Sequence, residues 1–443
     1  MSFTDRVNEQ ILPNVMKFVS FRPVQAIKDG MLFIMPLSIV GSIFLLFAEF
    51  PWAPVKDFFV NMGWAPAMYQ ANNATIGIMG IVAVIAIAYS FVKSEGFEPL
   101  GAGISALVVY FLLLEWLIPA EGVEGGYVTG VPTNWLGASG VIAAILIGLF
   151  VGYTYTFLLK RDIRIKMPDS VPPGVSNSFS ALLPMGVTTL VAAILYGFLN
   201  SQGTSFLDVI YNTLQVPLQG LSGSIGFAIV VPLTVHLLWW FGIHGATTVN
   251  GIIDPIMRAN LADNANLFRD GQLTVENGAH IIAKNTDRFF QLGGSGNTVG
   301  LVVFLLIFAK SQQLKTLGPL AVGGSVFNIN EPIIFGAPIV MNPLLFIPFV
   351  FVPLLTYLAF YFLANFGIVG PAIGIEIPWT TPPIIHGMLA GGWTWAVFEI
   401  FALIFSVAAY YPFMRKYDQQ LLAEEQGLSG EEVADAIQEE EDV

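Results

Sequence analysis

The chain is 443 residues long, 55% hydrophobic and 11% charged, with a mean hydropathy of +0.70. A soluble domain carries roughly 25% charged residues, so this composition excludes an ordinary water-soluble enzyme and indicates a protein immersed largely in lipid. There is no cysteine, and the formal charge of −13 is concentrated at one end: residues 417–443 carry ten acids and no base, leaving 21 acids against 18 bases elsewhere, a net of −3.

The first residues, MSFTDRVNEQ, lack a basic stretch running into a short apolar core with a small-residue cleavage site, so no removable signal peptide is expected. Val7, Ile11, Val15 and Phe18 recur at helical spacing. Residues 1–30 are therefore read as an amphipathic segment that lies on the membrane surface or caps the protein. Apolar runs long enough for a helix to cross a bilayer follow at Met31–Phe50, Ala74–Val92, Leu100–Ile118, Val141–Leu159, Ala181–Leu199, Ser224–Phe241, Pro343–Leu363 and Met388–Ala409. Asn297–Ala309 and Leu317–Phe327 are weaker candidates, which brings the expected number of crossings to about ten.

Basic residues gather before the first run (Arg6, Lys17, Arg22, Lys28), after the fourth (Lys160, Arg161, Arg164, Lys166) and after the last (Arg415, Lys416). The segments 119–140 and 201–223 hold neither Lys nor Arg. Positive charge stays inside, so both termini and the 160–177 loop are expected in the cytoplasm; Lys310 and Lys315 do not fit this pattern cleanly. The 160–177 loop, interrupted by Pro172 and Pro173, is the best internal linker. It divides four spans from a C-terminal half, or five from five if the boundary falls after Leu199. The expected organisation is thus 1–30, an N-terminal bundle 31–200, a C-terminal bundle 201–416, and a solvated acidic tail 417–443.

Four segments set polar groups among apolar ones. The first runs from Trp239 through His244, Thr247 and Thr248 to Asp254. Aromatic faces beside a histidine and hydroxyls suit a sugar, whose C–H surface packs on rings while polar groups fix its hydroxyls. An interfacial aromatic belt fits the pattern equally well. The second, Asn277–Arg288, places His280 and Lys284 at i, i+4 on a helical face, and reads most simply as a solvated cytoplasmic hairpin.

The third surrounds Glu331, one of only three acids between Lys315 and Arg415, a stretch without any Lys or Arg. A charge at membrane depth costs about 2.5–3.5 kcal/mol on insertion scales, which makes it a functional candidate. The break at Asn328, Asn330 and Pro332 suits a re-entrant turn lining a cavity. A structural carboxylate satisfying a helix break is the competing reading, and Asn328 and Asn330 could serve either. The fourth, Glu376 to Gly387, contains Trp379, Thr380 and Thr381 among three prolines, and is read as an irregular connection or a plain extracellular loop. No Walker-type loop or dinucleotide fingerprint is present, the histidines are too scattered for a metal centre, and no basic patch suits nucleic acid. From residues alone, a sugar transporter, a proton-coupled carrier relaying through Glu331 and His244, and a non-transporting membrane scaffold all remain open.

Taken in order, FRPVQAIKDGM at 21–31, WWFGIHG at 239–245, FNINEPIIFGAPIVMNP at 327–343 and PWTTPPII at 378–385 resemble the permease component, enzyme IIC, of the bacterial phosphotransferase system, lactose/cellobiose/diacetylchitobiose group. The resemblance implies an all-α polytopic membrane protein with about ten transmembrane helices, two re-entrant hairpins and amphipathic surface helices. It also implies a homodimer in the bacterial inner membrane, with the dimer contact in the N-terminal half and sugar bound in the C-terminal half. The sugar, a β-linked disaccharide such as diacetylchitobiose or cellobiose, would be carried inward by alternating access. It would then be phosphorylated by a phosphocysteine on enzyme IIB, itself charged by enzyme IIA. Without a cysteine here, that donor is expected on another polypeptide. No cofactor is implied. Carried over by position, Glu331 and His244 match the pair that holds the hydroxyl to be phosphorylated, with Glu331 assisting proton removal. Asn330 and His280 match further sugar contacts, and Trp239 and Trp379 match stacking aromatics. His386 stands where a smaller residue is expected in many relatives, which leaves the exact sugar open.

Overall fold

A computed structural model describes residues 17, 20–48, 53–119, 126–168, 170–337 and 339–426. The proposed amphipathic repeat at Val7, Ile11, Val15 and Phe18, and the acidic stretch 427–443, lie outside the described residues. The described chain is almost entirely helical; its sheet is one antiparallel ribbon, Leu117–Pro119 with Tyr127–Thr129. Among the described residues, five helices are long and apolar enough to cross a membrane: Ala65–Ser94, Ala138–Lys160, Pro173–Ser201, Pro343–Asn365 and Trp393–Glu425. Phe206–Ser222 with Ile225–Trp240 makes a sixth if counted as one broken span. Other apolar runs are divided among shorter helices: Met31–Phe50, for example, falls partly in Arg22–Leu32 and partly in Met35–Ala48.

The chain divides into two compact units, residues 1–221 with 250–262, and residues 222–249 with 263–443. In the first, Met79–Ser94 and Val141–Lys160 form the core with Arg22–Leu32 and Leu100–Leu112. Small residues let the backbones approach closely, as is usual where lipid offers no hydrophobic drive to association. A Cβ on Gly148 would stand 3.0 Å from Ile87 Cβ, and one on Gly152 would stand 2.8 Å from Phe91 Cβ. One polar knot ties the ends of this bundle together: the Glu95 carboxylate, 5% exposed, pairs with both Arg22 and Lys160.

The second unit packs Ile225–Trp240 against Pro343–Asn365, and Val299–Ile307 against Trp393–Glu425. Phe289, Phe360, Trp395 and Phe398 meet in an aromatic cluster at its centre. The C-terminal helix takes in residues 417–425 of the acidic stretch, and two of those acids have structural work. Asp418 accepts from the Lys310 and Ser311 amides at 2.7 and 2.9 Å, and Glu425 accepts from Gln312 and Gln313 at 3.0 and 3.1 Å. Together they satisfy the open N–H groups at the start of Gln312–Val326.

The segment 277–288 departs from expectation, and the irregular chain continues to 298. The i, i+4 spacing of His280 and Lys284 predicts a helix, and the charges suggest a solvated hairpin, yet the chain here is irregular, with only the short turns Val275–Asn277 and Thr286–Phe290, and is largely buried. Positive φ at Gly278, Asn285, Gly293, Gly294, Gly296 and Asn297 rules out a continuous helix. Buried backbone needs partners, and asparagines supply them. Asn285 donates to Ile375 O at 2.7 Å and accepts from Ile377 N at 2.9 Å. Asn297 does the same for Phe289 O and Leu292 N, at 2.9 and 2.8 Å, and Asn264 for His280 O and N, at 2.9 and 2.7 Å. Each side-chain amide imitates a strand partner, so non-helical chain can be buried without orphaned groups.

Candidate functional site

Trp239, His244, His280, Asn330, Glu331 and Trp379 all lie in the second unit, whereas Asp254, at the end of the first polar segment, belongs to the first. Ile225–Trp240 ends at Trp239 and Trp240, and Gly242, with φ of +80°, turns the chain so that His244 begins Gly245–Arg269. Nδ1 of His244 accepts from Thr247 N at 3.2 Å and lies 2.8 Å from Thr247 Oγ1. An Nδ1 that accepts from a backbone amide is unprotonated, so in the neutral ring the proton sits on Nε2. The Trp239 indole, buried, backs the imidazole with ring centroids 4.3 Å apart.

On the other side, Gln312–Val326 ends at Asn328, whose φ of +63° reverses the chain before the short helix Glu331–Gly336. This loop is pinned to the His244 turn by the residues that follow it: Met341 N donates to Trp240 O at 3.0 Å, and Trp240 Nε1 donates to Asn342 O at 3.1 Å. The result brings Glu331 Oε1 to 3.9 Å from His244 Nε2, with both side chains 48% exposed. That separation is too long for a direct hydrogen bond. The pair presents a donor and an acceptor side by side, open to a hydroxyl that could accept from one and donate to the other.

Asn328 ties in the third segment. Its Oδ1 accepts from Gly293 N at 2.9 Å, while Nδ2 donates to Trp379 O at 2.8 Å and Thr381 O at 2.9 Å. Trp379, 38% exposed, thereby hangs from the same loop that carries Glu331. Asn330 is buried; its amide nitrogen donates to Ser295 O at 2.6 Å and Thr298 Oγ1 at 2.8 Å, holding the loop from beneath. His280 has its Nε2 3.3 Å from Asp263 Oδ2. Lys284 pairs with Asp287 at 2.9 Å, and Arg288 reaches Trp379 O at 3.3 Å. Geometry therefore joins Trp239, His244 and Glu331 directly, joins Trp379 through its backbone, and shows Asn330 and His280 engaged with protein partners. Among the described residues no cluster of His, Asp and Glu could hold a metal ion.

A family model described as "Phosphotransferase system, EIIC" matches residues 28–353. The chain belongs to that family. It is 36% identical over 439 residues to the lichenan permease IIC component of Bacillus subtilis (strain 168), covering 95% of each chain. It is 34% identical to the cellobiose-specific EIIC component of Geobacillus stearothermophilus, covering 96% of each. Among solved structures it resembles the transporter ChbC, the IIC component of the N,N'-diacetylchitobiose-specific phosphotransferase system. There the TM-score is 0.89 and the identity 34%, over 96% of this chain and all of that one. As an EIIC component the protein is an integral membrane permease, in keeping with its apolar helices. Sequence reading did not single out the asparagines that support this candidate site: Asn264, Asn285 and Asn297. Only Asn297 carried a local signal, standing beside Gly296 in an apolar setting, a pattern that marks turns and irregular backbone.

Proposed function

We propose that this EIIC protein binds a β-linked disaccharide of the cellobiose or diacetylchitobiose type and carries it inward for phosphorylation. The observation that carries the reading is the His244–Glu331 pair, half-exposed and 3.9 Å apart, with Trp239 behind it and Trp379 tied to the same loop. An ionised carboxylate accepts hydroxyl protons strongly, and aromatic faces cover the sugar rings. Glu331 orients the reacting hydroxyl and draws on its proton, with His244 as its partner. A phosphocysteine on a separate enzyme IIB supplies the phosphoryl group, itself received from enzyme IIA, so this chain contributes positioning and its partner the chemistry. The relatives that act on lichenan, cellobiose and diacetylchitobiose support a β-linked substrate.

In the same reading the protein is a homodimer joined through its N-terminal bundle, 31–200, while 201–416 alternates the sugar site between the two sides of the membrane. Both termini, and the exposed basic residues after Val141–Lys160, face the cytoplasm. Uptake of labelled cellobiose and diacetylchitobiose into vesicles tests this. Sugar phosphate inside the vesicle, formed only when phosphorylated enzyme IIB is present, is the expected result. Free sugar accumulating without that protein, and lost on adding an uncoupler, would instead make the pair a proton relay.

A further inference from the structure

In the first unit, the apolar run Leu100–Ile118 is long enough for one crossing, yet its helix stops early. Leu100–Leu112 has 13 residues and is about 20 Å long, against a hydrocarbon core of about 30 Å. Leu113 and Leu114 are buried, and the chain then emerges at Trp116 into the ribbon of Leu117–Pro119 with Tyr127–Thr129. The neighbouring helix Val141–Lys160 has 20 residues, about 30 Å, and so marks both membrane boundaries. Lys160 and Arg161 stand at one end. At the other, the Tyr110 hydroxyl donates to Trp135 O at 2.6 Å, and the Trp135 ring packs edge-on to Tyr211 at 5.7 Å. The ribbon follows Tyr110 by a few residues, so it begins at the boundary opposite Lys160.

Side chains and backbone together fix its depth. Leu117 pairs with Thr129, Ile118 with Val128 and Pro119 with Tyr127, so alternation puts Leu117 and Tyr127 on one face and Val128 on the other. Leu117 and Tyr127 are 60% and 56% exposed, and Val128 and Trp116 are exposed as well. Neither face is therefore covered by the protein, and bulk water is a poor setting for so apolar a surface. Hydrocarbon is excluded by the backbone. The ladder is extended by Gly130 N donating to Trp116 O at 2.9 Å, and the outer edges of the strands have no protein partner among the described residues. Open sheet edges are not tolerated where water and polar groups cannot reach them. The headgroup layer meets both demands: it offers hydrogen-bonding groups to the edges and an acyl boundary to the side chains, and Trp and Tyr favour it. A second copy docked on one face would leave the other bare.

We propose that the ribbon is seated in the phospholipid headgroup layer on the membrane face opposite Lys160, with Leu117, Tyr127 and Val128 against lipid. It completes the crossing that Leu100–Leu112 leaves short, and it fixes the depth of the first unit at that face. This seating holds whatever sugar the second unit binds.

The chain has no cysteine, so Leu117→Cys and Tyr127→Cys each place a single nitroxide label on the full protein, reconstituted into phosphatidylethanolamine–phosphatidylglycerol vesicles. Phe150→Cys, exposed and halfway along Val141–Lys160, gives the hydrocarbon reference, and Arg164→Cys in the basic loop gives the aqueous one. Oxygen concentrates in hydrocarbon and a nickel chelate in water. The ratio of oxygen to nickel access at 117 and 127 is expected to lie between the references, at least about threefold from each. A ratio equal to that at 164 would mean a solvated loop and overturns the proposal, as does one equal to that at 150. Loss of access to both reagents, with line broadening that disappears on dilution with unlabelled protein, would mean a second copy on the ribbon and overturns it too. Electron microscopy of the wild-type protein in lipid nanodiscs needs no variant. There the strands are expected within the headgroup density, a layer of about 5–7 Å beyond the hydrocarbon. Strands standing clear of that layer, or packed on another chain, contradict the assignment.

Discussion

The two units keep a buried interior in opposite ways. The first relies on close backbone contact: Gly148 and Gly152 bring Val141–Lys160 onto Met79–Ser94, and its main buried charge, Glu95, sits at the bundle's end with two cations. The second buries irregular chain, with Asn264, Asn285, Asn297 and Asn328 paired to backbone groups and Asp287 paired with Lys284 and Arg288 inside. Small-residue packing gives rigidity but offers a ligand nothing polar. Satisfied polar networks cost more to build, yet they can hold loops such as the one bearing Glu331 in fixed positions without regular structure. The unit with the candidate site is the one built the second way.

The contrast can be broken by changing one feature of each unit. The largest effect is expected for Asn297→Ala, which orphans Phe289 O and Leu292 N and places alanine at φ +51°. A loss of about 3 kcal/mol or more should follow, seen as a sharp fall in the thermal unfolding temperature in detergent. A variant that melts like wild type would mean the asparagines are decoration. Next is Gly148→Val, whose Cβ meets Ile87 and the Val84 carbonyl. Overpacking should cost about 1–3 kcal/mol, and the same substitution at Gly174, where a Cβ meets nothing within 4 Å, should cost far less. Asp418→Ala removes a buried two-amide cap from Gln312–Val326 and should cost about 1–2 kcal/mol, with Glu425→Ala milder because its bonds are exposed.

The smallest effect is at Asp162, in the loop after Val141–Lys160. Hydrogen bonds from Lys166 and Arg164 hold its carboxyl below the usual range. A carboxyl lowered on folding adds stability that is present above its unfolded pKa and lost as pH falls through the folded value. The small difference in melting between wild type and Asp162→Asn should therefore shrink steadily as the buffer is acidified below pH 4, and salt should shrink it too.

Part of this was legible in the sequence. Glu331 stood out because charge is so scarce between Lys315 and Arg415, and His244 because it follows two tryptophans; the structure sets them side by side. The helical class followed from long apolar runs. Hydropathy, however, counts apolar residues without seeing breaks, so a run such as Met31–Phe50 reads as one span although two helices share it. The segment 277–288 departs from its local pattern for a different reason. Its conformation is decided by bonds to residues far along the chain, as from Asn285 to Ile375 and Ile377, and local spacing carries no trace of them. His386 was marked only as larger than the resemblance leads one to expect, and its meeting with Glu399 shows that it helps to hold the segment after Trp379.

The most direct test of the central claim is equilibrium binding of labelled diacetylchitobiose, cellobiose, lactose and maltose to the purified protein, wild type beside Glu331→Ala. Saturable binding of a β-linked disaccharide, reduced at least about a hundredfold in the variant by loss of a charge-assisted acceptor, is the predicted result. Binding that survives the variant unchanged, or folded wild-type protein that binds none of the four, would contradict it.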